Sequence, residues 1–146
     1  MNAALSREKV AFEFTDISWK EVEFNKGQNY FLGKFLEQKI HFEAFGSKIK
    51  SIRFLPIIVP DEIKKVYPNE IIHHRSRNQL GIYWQMDYDR VMRSTVAECK
   101  TYLADFFLEV LAIAKNTKPI RGFDYDGFIA AVKAVLPEWL ATEPEL

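Results

Sequence analysis

The stretch Glu70–Asp89, EIIHHRSRNQLGIYWQMDYD, decides the fold, because it holds two strand-like runs on either side of a turn signal. Glu70–Arg77 and Ile82–Tyr88 carry the β-branched and aromatic residues that suit a pleated, half-buried surface. Between them, Asn78-Gln79-Leu80-Gly81 has Asn at the first and Gly at the fourth position of a type I turn. Gly81 can take the left-handed conformation of a G1 bulge. A hairpin closed there sets Asn78 opposite Ile82, Ser76 opposite Trp84 and His74 opposite Met86. Side chains alternate along a strand, so Ile72, His74, Ile82, Trp84 and Met86 share a core face. His73, Arg75, Arg77, Tyr83, Gln85 and Asp87 then share the other face. A slip of one residue would scramble this grouping, whereas a slip of two would preserve it.

Upstream, Val10, Phe12 and Phe14 alternate with Ala11 and Glu13 as in a half-buried strand, and Trp19–Phe24 reads as another. In segment 30–46, Tyr30, Phe31, Phe35 and Leu36 fit a helical face, while Ile40 and Phe42 alternate, so its second half is read as strand. Ile49–Val59 is β-branched, and Pro56 and Pro60 place it at an edge or a bulge. Downstream, Met92, Val96, Cys99, Leu103, Phe106, Val110 and Ile113 recur every three or four residues, which predicts one long helix over 90–115 capped by Asp89. A second helix, capped by Asp126, runs from about Gly127 to Leu136, where Pro137 ends or kinks it. The expected fold is therefore α+β, an antiparallel meander with two C-terminal helices packed on one face. It is a single domain over 1–146, strand-rich in 8–88, helical in 89–140 and frayed over 142–146.

Composition supports a packed soluble domain: 48% of the 146 residues are hydrophobic and 12 are Phe, with only 6 Gly and 6 Pro. Charge balances in each half, with 11 basic and 10 acidic side chains in residues 1–73 and 9 and 10 in residues 74–146. Neither half has the basic excess of a nucleic-acid binder, so no nucleic-acid partner is expected. The lone Cys99 suits a reducing compartment, Met1–Val10 lacks the apolar core of a signal peptide, and Leu103–Ala114 is too short and too charged to span a bilayer. A cytoplasmic protein with no membrane association is expected.

Candidate catalytic centres are few. His73 and His74 are adjacent in a strand and point to opposite faces, so they cannot share a metal, and no cofactor is implied. Asp87-Tyr88-Asp89 and Asp124-Tyr125-Asp126 both precede a helix, where carboxylates cap free N–H groups and favour the positive end of the dipole. Cys99 falls on the apolar stripe, where a thiol packs as a small hydrophobe. There is no Gly-rich phosphate loop and no nucleophile elbow. What remains is the polar hairpin face of His73, Arg75, Arg77, Tyr83, Gln85 and Asp87, which Lys48, Lys50 and Arg53 would extend if their strand lies alongside. Such a face can be a plain solvated sheet surface or a nucleic-acid platform. Among the functional readings, protein binding is favoured, since Arg and Tyr are prominent among interface hot spots and the charge is balanced. The alternative is a small RNA-acting or hydrolytic enzyme using His73, Arg75 and Asp87. A third reading is a secretion chaperone or structural subunit.

Residues Arg77–Lys115, RNQLGIYWQMDYDRVMRSTVAECKTYLADFFLEVLAIAK, followed by FDYDGFIAAVKAVL, resemble bacterial immunity proteins of polymorphic or contact-dependent toxin systems. The likeness lies in a strand ending in I-x-x-x-M-D-Y, a long helix, and a short helix opening on FD-x-x-x-F. The resemblance implies a non-enzymatic protein that binds a cognate toxin domain stoichiometrically and occludes its active site. Members that face basic nucleases are often acidic, whereas this chain is neutral.

Overall fold

The computed structural model describes residues 11–15, 17–18 and 28–142. Five strand segments, β1 (Phe12–Phe14), β2 (Ile17–Ser18), β3 (Ser51–Ile58), β4 (Glu70–His74) and β5 (Gln79–Gln85), form one mixed sheet. β1 and β2 lie end to end along one edge of β3, and β5 and then β4 follow on the other side. All pairings are parallel except the β4–β5 hairpin. The helices are α1 (Gln28–Lys39), α2 (Tyr88–Arg93), α3 (Val96–Thr117) and α4 (Tyr125–Leu140).

The α+β class holds, but the antiparallel meander is overturned. β3 is the central strand, and a helical crossover through α1 delivers the chain from β1 to β3 in parallel. The expected edge position of Ile49–Val59 fails for a specific reason. Ile52 N–H donates to Ala11 O and Thr15 N–H to Phe54 O, so the backbone N–H and C=O groups of even-numbered β3 residues face the β1–β2 edge. Pro56 falls level with the break between β1 and β2. There the ladder loses only one donor, and Asn29 of α1 replaces it: its Nδ2 donates to Thr15 O at 2.5 Å and to Phe54 O at 3.4 Å. Proline is thus accommodated in an interior strand by a buried amide.

Residues paired across the sheet share a face, which produces two apolar rows: Phe12–Ile52–Leu80 and Phe14–Phe54–Ile82. All six are buried, and α1, α3 and α4 cover them. Phe54 meets Phe107 of α3 at a ring-centroid distance of 4.8 Å, and Phe128 of α4 stacks on Phe42 at 5.3 Å. Truncating Phe54, which is fully buried, would cost about 3–5 kcal/mol.

Segment 30–46 is helical first, and its second half is not a strand: α1 runs to Lys39 and a 3-10 turn occupies Phe42–Phe45. Gly33 explains the weak helical signal. A β-carbon there would lie 2.9 Å from Phe14 Cβ, so the helix needs glycine to approach β1. The strand expected at Trp19–Phe24 lies outside the described residues, as does the frayed tail apart from Thr142. The single helix expected over 90–115 is broken at Ser94–Thr95. Thr95 Oγ1 accepts from Glu98 N–H and Glu98 Oε1 accepts from Thr95 N–H, a complete capping box that starts α3. Both Asp-Tyr-Asp triplets cap helices, but through their first Asp: Asp87 accepts from Arg90 N–H and Asp124 from Gly127 N–H. α4 also continues through Pro137 to Leu140. Cys99 is fully buried in the core, as its place on the stripe predicts.

Candidate functional site

The hairpin exists, but its register differs from the one the turn signal predicts. Ile82 pairs with Ile71 instead of Asn78, a shift of seven residues. The turn is a 3-10 segment, Arg75–Arg77, followed by Asn78 in the left-handed conformation (φ 50°, ψ 45°), so Asn78 takes the role expected of Gly81. Asn is among the few non-glycine residues that tolerate this region. Because seven is odd, every side chain of β4 changes face relative to β5. His73 extends the Phe12–Ile52–Leu80 row on the helix-covered face, and His74 turns to the opposite face, where its Nε2 and the Tyr83 ring lie over Gly81.

The six residues expected to form one polar face are therefore dispersed. His73 is half-buried at the rim of the core, and Arg75 and Arg77 are exposed in the turn. Tyr83 lies on the other face. Gln85 is committed internally: its Nε2 donates to Lys64 O at 2.9 Å and Tyr67 O at 2.8 Å, pinning the 3-10 segment Asp61–Val66. Asp87 caps α2, and its N–H donates to Tyr102 Oη, whose ring lies beneath the Arg90 guanidinium. His73 faces Leu80, seven residues before Asp87, so the two stand roughly 20 Å apart along the strand. The trio His73, Arg75 and Asp87 required by the enzyme reading is not assembled.

A different constellation is. Lys48, His73, Arg75, Asn78, Arg121 and Gly122 line an open groove of about 640 Å³, together with Pro119 and Ile120. Three separate segments supply its cations: the approach to β3, the β4–β5 turn, and the loop between α3 and α4. Backbone contacts fix them together. Lys50 N–H donates to Asn78 O at 2.7 Å, and Asp124 N–H donates to Phe45 O at 2.9 Å. Gly46 (φ 113°) and Gly122 (φ 91°) both adopt positive φ, and a β-carbon on Gly46 would lie 2.0 Å from Gly122 O. The Lys48 stem crosses Gly122, where a β-carbon would meet Lys48 Cγ at 2.8 Å.

No carboxylate lines this groove. Burial first, and then the nearby Arg75, Lys118, His74 and Lys48, hold the His73 imidazole below its ordinary range. Of the expected residues, then, the fold brings together His73 and Arg75, and joins them to Lys48. Arg53 is left on the opposite face, paired with Gly81. Lys118 and Arg121 escaped the sequence reading; their only signal is two cations in the Pro-Gly break, TKPIRG, between the helices. Among the described residues, no three His, Cys, Asp or Glu side chains are grouped to hold a metal ion, and no helix is long and apolar enough to cross a membrane.

A search of curated proteins and a search of solved structures returned no match. One family model matches residues 11–138, and its description is immunity protein 44.

Proposed function

We propose that this chain, which belongs to the immunity protein 44 family, neutralises a cognate toxin domain by binding it stoichiometrically. The family match carries this reading: it extends from β1 into the last turn of α4, well beyond residues 77–136 on which the sequence resemblance rests. We place the binding surface around His73 and Arg75, within the groove they share with Lys48 and Arg121. Arg77, exposed at the same turn, belongs to its margin. Tyr83, Gln85 and Asp87 drop out of the surface, because Tyr83 faces away and the other two are engaged within the fold.

The physical support is that the groove is built from backbone-fixed segments, so little ordering entropy is lost on binding. Its arginines can make charge-assisted, bidentate contacts once water is excluded. Occlusion needs no catalytic group on this chain. The test is to co-express the chain with the toxin domain from the reading frame beside its own. Expected are rescue of growth and a 1:1 complex on size-exclusion chromatography with light scattering. Growth arrest undiminished by a folded, abundant chain would refute the reading.

A further inference from the structure

We infer that the groove formed by Lys48, His73, Arg75 and Arg121 receives a carboxylate-bearing loop of the toxin domain, an inference that rests on the immunity reading. The first support is local: cations from three segments gather around His73, and no carboxylate lines the groove they form. Lys39, Lys64 and Lys115 each pair with a carboxylate, on Glu138, Asp61 and Asp126 respectively. Among the described residues, Lys48, Arg75, Lys118 and Arg121 enter no ion pair. Yet the chain as a whole has 20 basic and 20 acidic side chains, so the cluster is not a by-product of a basic surface. Like charges held together raise the free energy of the unbound protein. A bound anion relieves that repulsion, and fixed arginines raise its affinity.

The surroundings select a protein carboxylate over a nucleic-acid backbone. A polyanion needs a basic track that continues for several phosphates. On the far side of Arg121 the surface instead presents Asp124 and Asp126 beside Lys115, Phe123 and Tyr125, so the positive field ends there. Pro119 and Ile120 add apolar wall, which suits the stems of Asp or Glu in a loop. His73, whose proton affinity is lowered first by burial and then by its cationic neighbours, gains affinity for a proton when a carboxylate enters, so uptake of the acidic loop strengthens as pH falls towards the ordinary histidine range. The titratable and charged groups near His73 are Arg75, Lys118, His74 and Lys48, from its own strand and turn, the residue after α3 and the approach to β3.

The experiment is titration calorimetry of the toxin domain encoded beside this chain into wild type and into the double variant Arg75→Glu/Arg121→Glu, at low and at physiological salt. Both arginines are exposed, so circular dichroism should show the variant folded. Wild type should bind with an affinity that weakens as salt rises. The reversal should weaken binding by about 100-fold or more and abolish that salt dependence. Changing the acidic loop's Asp or Glu to Lys should restore much of the loss for the double variant alone. Unchanged affinity and salt slope in the folded variant would overturn the inference while leaving the immunity reading in place. Failure of wild type to bind the toxin domain at all would remove that reading and the inference with it. Tight binding of a 20-nucleotide RNA, lost in the double variant while toxin binding persists, would also overturn it, in favour of a nucleic-acid surface.

Discussion

Replacing Gly46 with Ala tests the contact on which the groove depends. Gly46 has φ 113° and ψ 177°, a region open essentially to glycine alone, where another residue costs about 1–3 kcal/mol. Its new β-carbon would lie 2.0 Å from Gly122 O and 3.1 Å from Gly122 C. Both are backbone atoms of a loop that is itself at positive φ, so neither can swing aside as a side chain would. Forced overpacking adds roughly 1–3 kcal/mol. The total, about 2–6 kcal/mol, is a large part of the 5–15 kcal/mol that typically holds such a domain together. Urea unfolding followed by far-UV circular dichroism measures it directly. With a slope of about 1–3 kcal/mol per molar, the midpoint should fall by at least about 0.7 M. Ser47→Ala, at an exposed neighbouring position, should stay within about 0.5 kcal/mol of wild type. A Gly46→Ala midpoint within about 0.3 M of wild type, at unchanged slope, would refute both the strain and the close approach. Gly122→Ala should be milder, because its new β-carbon meets only the flexible Lys48 stem, which leaves mainly the backbone cost of φ 91°, about 1–3 kcal/mol.

Asn29→Ala leaves Thr15 O without the donor that stands in for Pro56, at a cost of about 1–3 kcal/mol by chemical denaturation. Pro56→Ala in that background restores a backbone N–H and should recover part of the loss; no recovery would mean the amide acts otherwise. Burial pushes the Tyr125 hydroxyl up to about 12 from an ordinary 10, and it donates to Lys118 O at 2.7 Å. The unfolded phenol loses its proton first, so the stabilisation is complete below pH 10 and is lost as pH rises from 10 to about 12. Tyr125→Phe should cost about 1 kcal/mol at pH 7 and flatten that alkaline decline, read as melting temperature against pH. Tyr102, also raised chiefly by burial, leaves a residual slope.

Much of the helical half was legible because its signals are local. The stripe of Cys99, Leu103, Phe106 and Val110 and the capping carboxylates each need only a few neighbouring residues to be recognised. The break before α3 was also written locally, as Thr95-x-x-Glu98, and was overshadowed by the continuous apolar period around it. The sheet was less legible because its order depends on distant partners. Arg75–Asn78 and Asn78–Gly81 both offer a tight turn, and nothing within Glu70–Asp89 chooses between them. The choice is made by Ile52 and Phe54, which require Leu80 and Ile82 on the helix side, and by Lys50 N–H, which holds Asn78 O. The groove was half legible for the same reason: His73 and Arg75 are neighbours in sequence, whereas Lys48 and Arg121 reach them only through the fold.

The central place of β3 also governs how the molecule comes together in time. Phe12 pairs with Ile52 and Ile52 with Leu80, while the Phe12 ring stacks on Phe128. On a ribosome, β3 would therefore emerge before β5 exists to flank it, and the apolar rows would wait for α3 and then α4 to cover them. Long sequence separations of this kind place folding in the slower, millisecond-to-second regime. They also make the chain an all-or-none unit, in which a nascent chain lacking α4 would expose the aromatic rows to whatever else is nearby. If the chain acts as the proposed stoichiometric inhibitor, supply would then be set by completed chains, with no partly finished form able to serve.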